Sequence, residues 1–217
     1  MKKILALLLL LFIPTTLYAH QTKQIFKGVT IVLDAGHGGM DKGTSYQEVK
    51  ESEINLMIVK KLEKELSELG CNVVLTRKDE NDLSNSIKFN KTEDMKERIR
   101  IINDEKNDLY ISVHINQFNN STVKGIHVFY NPKMTQSYEL ASIIQTEVNQ
   151  QLNQVKEIKK GDFFILNQSR IPGILIECGF LSNEEDRNHL LDEKYQNKMV
   201  KCLVDGMIQY FENKNII

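Results

Sequence analysis

The sequence predicts a single-domain α/β fold, a mainly parallel twisted sheet with helices on both faces. Three observations predict it. Strand-like and helix-like segments alternate from Gly28 onward, and the strands are short continuous apolar runs, as in sheets covered on both sides. No repeat, low-complexity tract or linker divides the 217 residues, a length that suits one domain with a short appendage.

Val29-Thr30-Ile31-Val32-Leu33 is a β-branched run that stops at Asp34 and a glycine loop, the pattern of a buried strand. Ile58, Val59, Leu62, Leu66 and Leu69 mark one face of a helix over Ile54 to Leu69, and Gly70 stands where a helix ends. Asn72 to Thr76 is a second strand. Asp79 to Asn90 is polar and irregular, an exposed loop. Met95, Ile99 and Ile102 share one side of a helix over Met95 to Lys106. Leu109 to His114 and Gly125 to Tyr130 are the third and fourth strands. A helix over Tyr138 to Leu152, a fifth strand over Gly173 to Ile176 and a helix from Glu193 to Glu212 complete the order.

Hydrophobic residues at 41% and charged residues at 26% are ordinary for a soluble globular chain. A formal charge of −1 supplies no basic excess, so nucleic acid is excluded as a partner. Lys2 and Lys3, an apolar run from Ile4 to Ile13 and a small residue at Ala19 describe a secretory signal peptide over residues 1–19, with an uncleaved N-terminal anchor as the alternative. The apolar run is too short for the roughly 20 residues of a spanning helix. Either way the rest of the chain is expected outside the cytoplasm, secreted or tethered. Cys71, Cys178 and Cys202 fit neither a zinc knuckle nor a CxxC motif and read as small buried hydrophobes.

The chemistry lies in where the polar residues fall. His37 follows the first strand within Asp34-Ala35-Gly36-His37-Gly38-Gly39, His114 ends the third strand and Glu177 ends the fifth. Open α/β sheets bind ligands at the carboxyl ends of their strands, so separate segments bring two imidazoles and a carboxylate to one edge. Glu51, at the start of the first helix, returns to the same edge. Imidazole favours zinc over calcium or magnesium. A catalytic zinc takes three protein ligands, and hydrolysis needs a general base. His37, Glu51 and His114 as ligands with Glu177 as base satisfy that count.

Each residue also has an ordinary structural reading. A strand-end histidine is commonly a satisfied structural residue, Glu51 fits a helix N-terminus electrostatically, and Glu177 could pair with a lysine or arginine. Yet Glu177 follows four apolar residues, and buried strands rarely carry an unpartnered charge. Of the other histidines, His20 sits at the processing site, His189 is expected exposed in a charged helix, and His127 is expected to face solvent or the groove. Asn116 either orients substrate or is a turn residue. Gln117 to Lys124 is expected to form one wall of the groove, too short to lay a blocking helix over the metal.

Four ordered motifs then become informative: Ile31-Val32-Leu33-Asp34-Ala35-Gly36-His37-Gly38-Gly39, Glu51-Ser52-Glu53-Ile54-Asn55-Leu56, Ile111-Ser112-Val113-His114-Ile115-Asn116 and Ile176-Glu177-Cys178-Gly179-Phe180-Leu181-Ser182-Asn183. Together they resemble the zinc-dependent N-acetylmuramoyl-L-alanine amidases of type 3, from about Val29 to Phe211. The resemblance implies a six-stranded sheet sandwiched by helices, a catalytic domain over residues 27–215, one zinc on His37, Glu51 and His114, and Glu177 as the catalytic residue. The bond cut joins the muramic acid lactyl group to L-alanine of peptidoglycan. Two positions depart from the pattern. Ala35 replaces the usual proline, which is expected to loosen the turn, and Glu53 competes with Glu51 as ligand.

A narrower resemblance runs through Thr92 to Arg98, Asp108 to His114 and Lys194 to Met199, which look like the germination-specific amidases of spore-forming bacteria. It implies removal of stem peptides from cortex muramic acid on the way to muramic δ-lactam. Peptidoglycan is the expected substrate, with an accessory or regulatory protein at the spore cortex as partner; a homodimer stays open. The alternatives are a vegetative cell-wall amidase or autolysin, a zinc peptidase using the same residues, and a wall-binding module that has lost catalysis.

Overall fold

The computed structural model describes residues 24–84 and 88–217; the predicted leader over residues 1–19 and His20 lie outside the described residues. In chain order the elements are β1 (Thr30–Ala35), β2 (Ser45–Tyr46), β3 (Val49–Lys50), α1 (Glu51–Glu68), β4 (Asn72–Leu75), α2 (Lys91–Ile102), β5 (Leu109–Asn116), β6 (His127–Tyr130), α3 (Thr135–Leu152), β7 (Lys159–Lys160), α4 (Phe164–Gln168), β8 (Gly173–Phe180), α5 (Glu184–Leu191) and α6 (Glu193–Asn213). Six strands form one sheet in the order β4-β1-β5-β8-β6-β7, and β2 and β3 form a separate hairpin. Every pair in the large sheet is parallel except β6 with β8. The expected mainly parallel sheet with helices on both faces is therefore present. No helix among the described residues is long and apolar enough to cross a membrane.

Strand side chains alternate between faces, and here the alternation separates packing from chemistry. Ile31 and Leu33 of β1, Ile111 and Val113 of β5, and Ile174 and Ile176 of β8 share one face. Helices α1, α3 and α6 cover it with Leu62, Ile144, Leu203 and Met207. The intervening residues Val32, Tyr110 and Leu175 belong to a smaller cluster under α2 and α4. Toward the strand ends that second face turns polar, carrying Asp34, Ser112, His114 and Glu177.

Helix boundaries follow local hydrogen bonding. At the end of α1, Gly70 adopts φ 85° and donates to Ser67 O, while Cys71 N donates to Leu66 O, the paired bonds of a Schellman stop. Helix α2 begins four residues before the expected Met95 because the Asn90 side chain accepts from the Thr92 and Glu93 amides. It ends at Ile102 rather than Lys106 because Asn107 Nδ2 donates to the carbonyls of Ile101 and Ile102. The two-residue strands and the five-residue α4 carry no readable period and were not expected.

Candidate metal centre

Glu51 is the hub. It opens α1 at the mouth of the β2–β3 hairpin and reaches over the sheet edge, buried, with Oε1 accepting from the Ile115 amide at 3.0 Å and Oε2 from the Thr44 amide at 2.8 Å. The same Oε1 lies 3.2 Å from His37 Nε2 and 3.1 Å from His114 Nδ1. The two imidazole rings meet edge to face with centroids 5.1 Å apart. Asp41 Oδ2 stands 2.9 Å from the other nitrogen of His37, within ion-pair distance. Gly36 is required where it is: a Cβ there would run into the His114 ring.

Asparagine Asn55, one turn into α1, ties the hub to the loop by donating to Gly36 O at 3.2 Å and Glu51 Oε1 at 3.3 Å. Glu53, the competing carboxylate, turns away and pairs with Lys50 Nζ at 2.7 Å. Glu51 is the carboxylate that meets the histidines.

The donor set fits a small borderline-soft cation. Two imidazole nitrogens and a carboxylate oxygen lie within 4.8 Å of one another. Ligands about 2.0–2.1 Å from a tetrahedral zinc stand roughly 3.3 Å apart, close to the spacings around Glu51 Oε1. Electrostatics agree. Burial opposes ionisation of Glu51, but contacts with His114 and His37 outweigh it and hold the carboxyl well below its usual range. Burial likewise disfavours charge on His37, but Asp41 and Glu51 push its pKa up to about 9.

Glu177 is the fourth member. Its register partner on β5 is His114, so both side chains rise from the same face. It is buried, and its Oε2 has no hydrogen-bond partner. Burial, reinforced by the Glu51 charge and opposed by His114 and His37, pushes its pKa up to about 7. The four residues open into a cleft of about 390 Å³.

Residues 31–209 match the family described as N-acetylmuramoyl-L-alanine amidase (Amidase_3). The chain belongs to that family. The amidase is 33% identical over 194 residues to the germination-specific N-acetylmuramoyl-L-alanine amidase of Bacillus subtilis, covering 86% of this chain and 81% of the relative. Among solved structures, the CwlD amidase from Clostridioides difficile in complex with the GerS lipoprotein is 35% identical, with TM-score 0.82 over 85% of this chain and 99% of that one. The catalytic domain of CwlV from Bacillus (Paenibacillus) polymyxa var. colistinus is 26% identical, with TM-score 0.75 over 85% of this chain and 98% of that one. The amidase is thus a hydrolase acting on peptidoglycan.

Several expectations need correction. His114 and Glu177 are not strand ends: β5 continues to Asn116 and β8 to Phe180, paired beyond an irregularity in register. His127 does not face solvent. It is 6% exposed, packed edge to face against Phe129 and Phe180, and burial helped by Lys159 and Lys156 lowers its pKa to about 4. His189 is half-buried and stacks on Tyr195. Asn116 lines the cleft, but its Oδ1 accepts from the next amide, Gln117 N, at 2.8 Å. Of the stretch Gln117 to Lys124, only Gln117 lines the cleft; the walls are the first turns of α2 and residues Asp162–Ile165 entering α4. A larger open groove of about 720 Å³ beside Tyr46 and α5 holds none of the four residues.

Cys71, Cys178 and Cys202 are free and buried, and burial pushes the Cys178 thiol up. Asp34, Arg77 and Arg98, buried beneath the site, escaped the sequence reading. The signal was available for Asp34, a charge that follows an apolar run just as Glu177 does.

Proposed function

We propose that the amidase binds zinc through His37, Glu51 and His114 and uses Glu177 as its general acid–base. The observation that carries this is one oxygen, Glu51 Oε1, within 3.2 Å of nitrogens on both histidines, next to a buried carboxyl with an unpartnered oxygen. His37, Glu51 and His114 would hold the zinc, which when bound would supply Lewis acidity beside Glu177. Glu177 takes a proton from the attacking water and returns it to the L-alanine nitrogen as the C–N bond breaks. The products are a lactyl carboxylate on muramic acid and a stem peptide with a free amino terminus. A carboxyl that burial has raised toward neutrality is suited to hold that proton and release it.

We further infer a role in spore cortex modification, exported from the cytoplasm, with an accessory lipoprotein as partner. Similarity to a germination-specific amidase and to one crystallised with a lipoprotein supports this. Digestion of denuded cortex, read by muropeptide mass spectrometry with and without a chelator, tests the chemistry. Peptide-free muramic acid and free L-alanine termini are expected, lost with chelator. Cleavage within plain peptides, or chelator-resistant activity, contradicts it. For the biological setting, spores lacking the chain should lack muramic δ-lactam; normal lactam content favours the vegetative reading.

A further inference from the structure

The loop that presents His37 holds that residue in an uncommon backbone conformation, while Gly38 and Gly39 beside it take positive φ readily. His37 has φ 62°, the left-handed region that non-glycine residues avoid. Its three consecutive carbonyls are all occupied by buried side-chain donors. Ala35 O accepts from Arg98 Nη1 at 2.7 Å and from Arg77 Nε at 2.8 Å. Gly36 O accepts from Arg77 Nη2 at 3.1 Å, and His37 O from Arg98 Nη2 at 2.6 Å. The turn that Ala35 was expected to loosen is therefore gripped from both sides.

Both guanidinium groups are almost fully buried, Arg98 at 2% and Arg77 at 3% exposed. Burying a cation is costly unless it is paired and hydrogen-bonded. Arg98 is paired, with Asp94 Oδ2 at 2.8 Å and Asp34 Oδ1 at 2.7 Å. Among the described residues, Arg77 directs its hydrogen bonds to backbone carbonyls: Ala35, Gly36, Ser52 and Asp79. Ser52 follows Glu51, so Arg77 joins the His37 loop to the first turn of α1. Arg98 joins the same loop to Asp34, which accepts from Ser112 Oγ at 2.6 Å on the strand that bears His114. The segments carrying all three clustered side chains are thereby fastened to one another.

We infer that Arg77 and Arg98 form a guanidinium clamp that holds the His37 loop in its left-handed form and so sets the affinity of the cluster for its metal. Both are positioning residues acting through backbone carbonyls, and the inference rests on the metal site proposed above. Lysine keeps the charge but cannot present the planar fork, so Arg77→Lys and Arg98→Lys isolate the geometry. Zinc affinity is measured by competition with a chromophoric chelator, alongside apo-protein melting and turnover at saturating zinc. Each variant is expected to weaken zinc binding about 10–100-fold, the scale of outer-shell partners, while turnover at saturating zinc is recovered. Asn107→Ala, which uncaps α2 at its far end, is the control: it lowers the melting temperature and leaves zinc affinity unchanged. Should Arg98→Lys not fold, Thr76→Val removes only the Thr76 Oγ1 donation to Asp34 at 2.7 Å and should weaken zinc binding less. Folded Arg77→Lys and Thr76→Val with wild-type zinc affinity, or with losses no greater than Asn107→Ala, overturn the clamp. A wild-type chain that binds no zinc, or a His37→Ala variant that binds it undiminished, overturns the metal site instead.

Discussion

On one face of the sheet, Ile111, Val113 and Ile176 pack against α1, α3 and α6; on the other, His114 and Glu177 of the same strands line a cleft between α2 and α4, with Ser112 buried beneath it. A single step along β5 or β8 moves from core to chemistry. The apolar face is covered by long amphipathic helices of 18, 18 and 21 residues, the reactive one by helices of 12 and 5. The difference teaches that burial on one face stabilises the sheet, while the thinner cover on the other admits substrate to carboxylates and imidazoles that are costly to bury. Under the cleft, Arg98, Asp94, Asp34, Ser112 and Thr76 are tied together by side-chain hydrogen bonds.

The sharpest separation of the faces comes from Glu177→Gln, which keeps the shape and removes the carboxylate proposed above as the proton acceptor. Turnover should fall about 10²–10⁴-fold, the usual worth of a general acid–base, with zinc content by elemental analysis and melting temperature near wild type. Ile111→Ala, across the sheet, should do the reverse. It deletes a fully buried side chain and should cost about 2–5 kcal/mol of unfolding free energy, read by denaturant titration, with turnover per folded molecule intact at saturating zinc. If Ile111→Ala lowers that turnover as far as Glu177→Gln does, the two faces are not functionally separable.

The faces also differ in how they show in sequence. β-Branched runs and helical stripes at Ile58, Val59, Leu62 and Leu66 report apolar burial, so the sheet and its long helices were legible. His37, Glu51, His114 and Glu177 were legible for a second reason, since polar residues near strand ends of an open sheet converge at one edge. Arg77 and Arg98 were not. A buried arginine looks like a surface one until the fold shows which groups it reaches, and apart from Asp79 and Asp94 the partners lie 25 to 64 positions away. His127 misled for a related reason. Alternation marks its side of β6 correctly, but only the packing of Phe129 and Phe180 shows that this side is closed there.

Acid should loosen the reactive face before the apolar one. Burial raises the Asp34 pKa, but Arg98 and the Ser112 and Thr76 hydroxyls outweigh it and lower the value to about 2 from 3.8. A depressed carboxylate adds stability that is fully present above its unfolded pKa and is lost as pH falls through the folded one. The shift corresponds to about 2 kcal/mol, disappearing between roughly pH 4 and pH 2. Asp34→Asn should flatten the slope of unfolding free energy against pH in that window. An unchanged slope would mean that the Asp34–Arg98 pair is not ionised as the hydrogen bonds imply.

The smallest effect concerns the thin cover itself. Helix α2 bears Lys91, Asp94, Met95 and Arg98 on the cleft and is started by the Asn90 side chain, which accepts from Thr92 N at 3.1 Å and Glu93 N at 3.3 Å. Asn90→Ala leaves those amides without their cap, at a cost of about 1 kcal/mol. Because α2 packs on the smaller apolar cluster, that loss should stay local, as opening of the first turn rather than of the whole sheet. Amide hydrogen exchange should accelerate at the start of α2 and stay unchanged in α3 and α6. Equal acceleration in α6 would show the two faces unfolding as one unit, and the cleft would then owe its openness to its side chains rather than to a weaker helical cover.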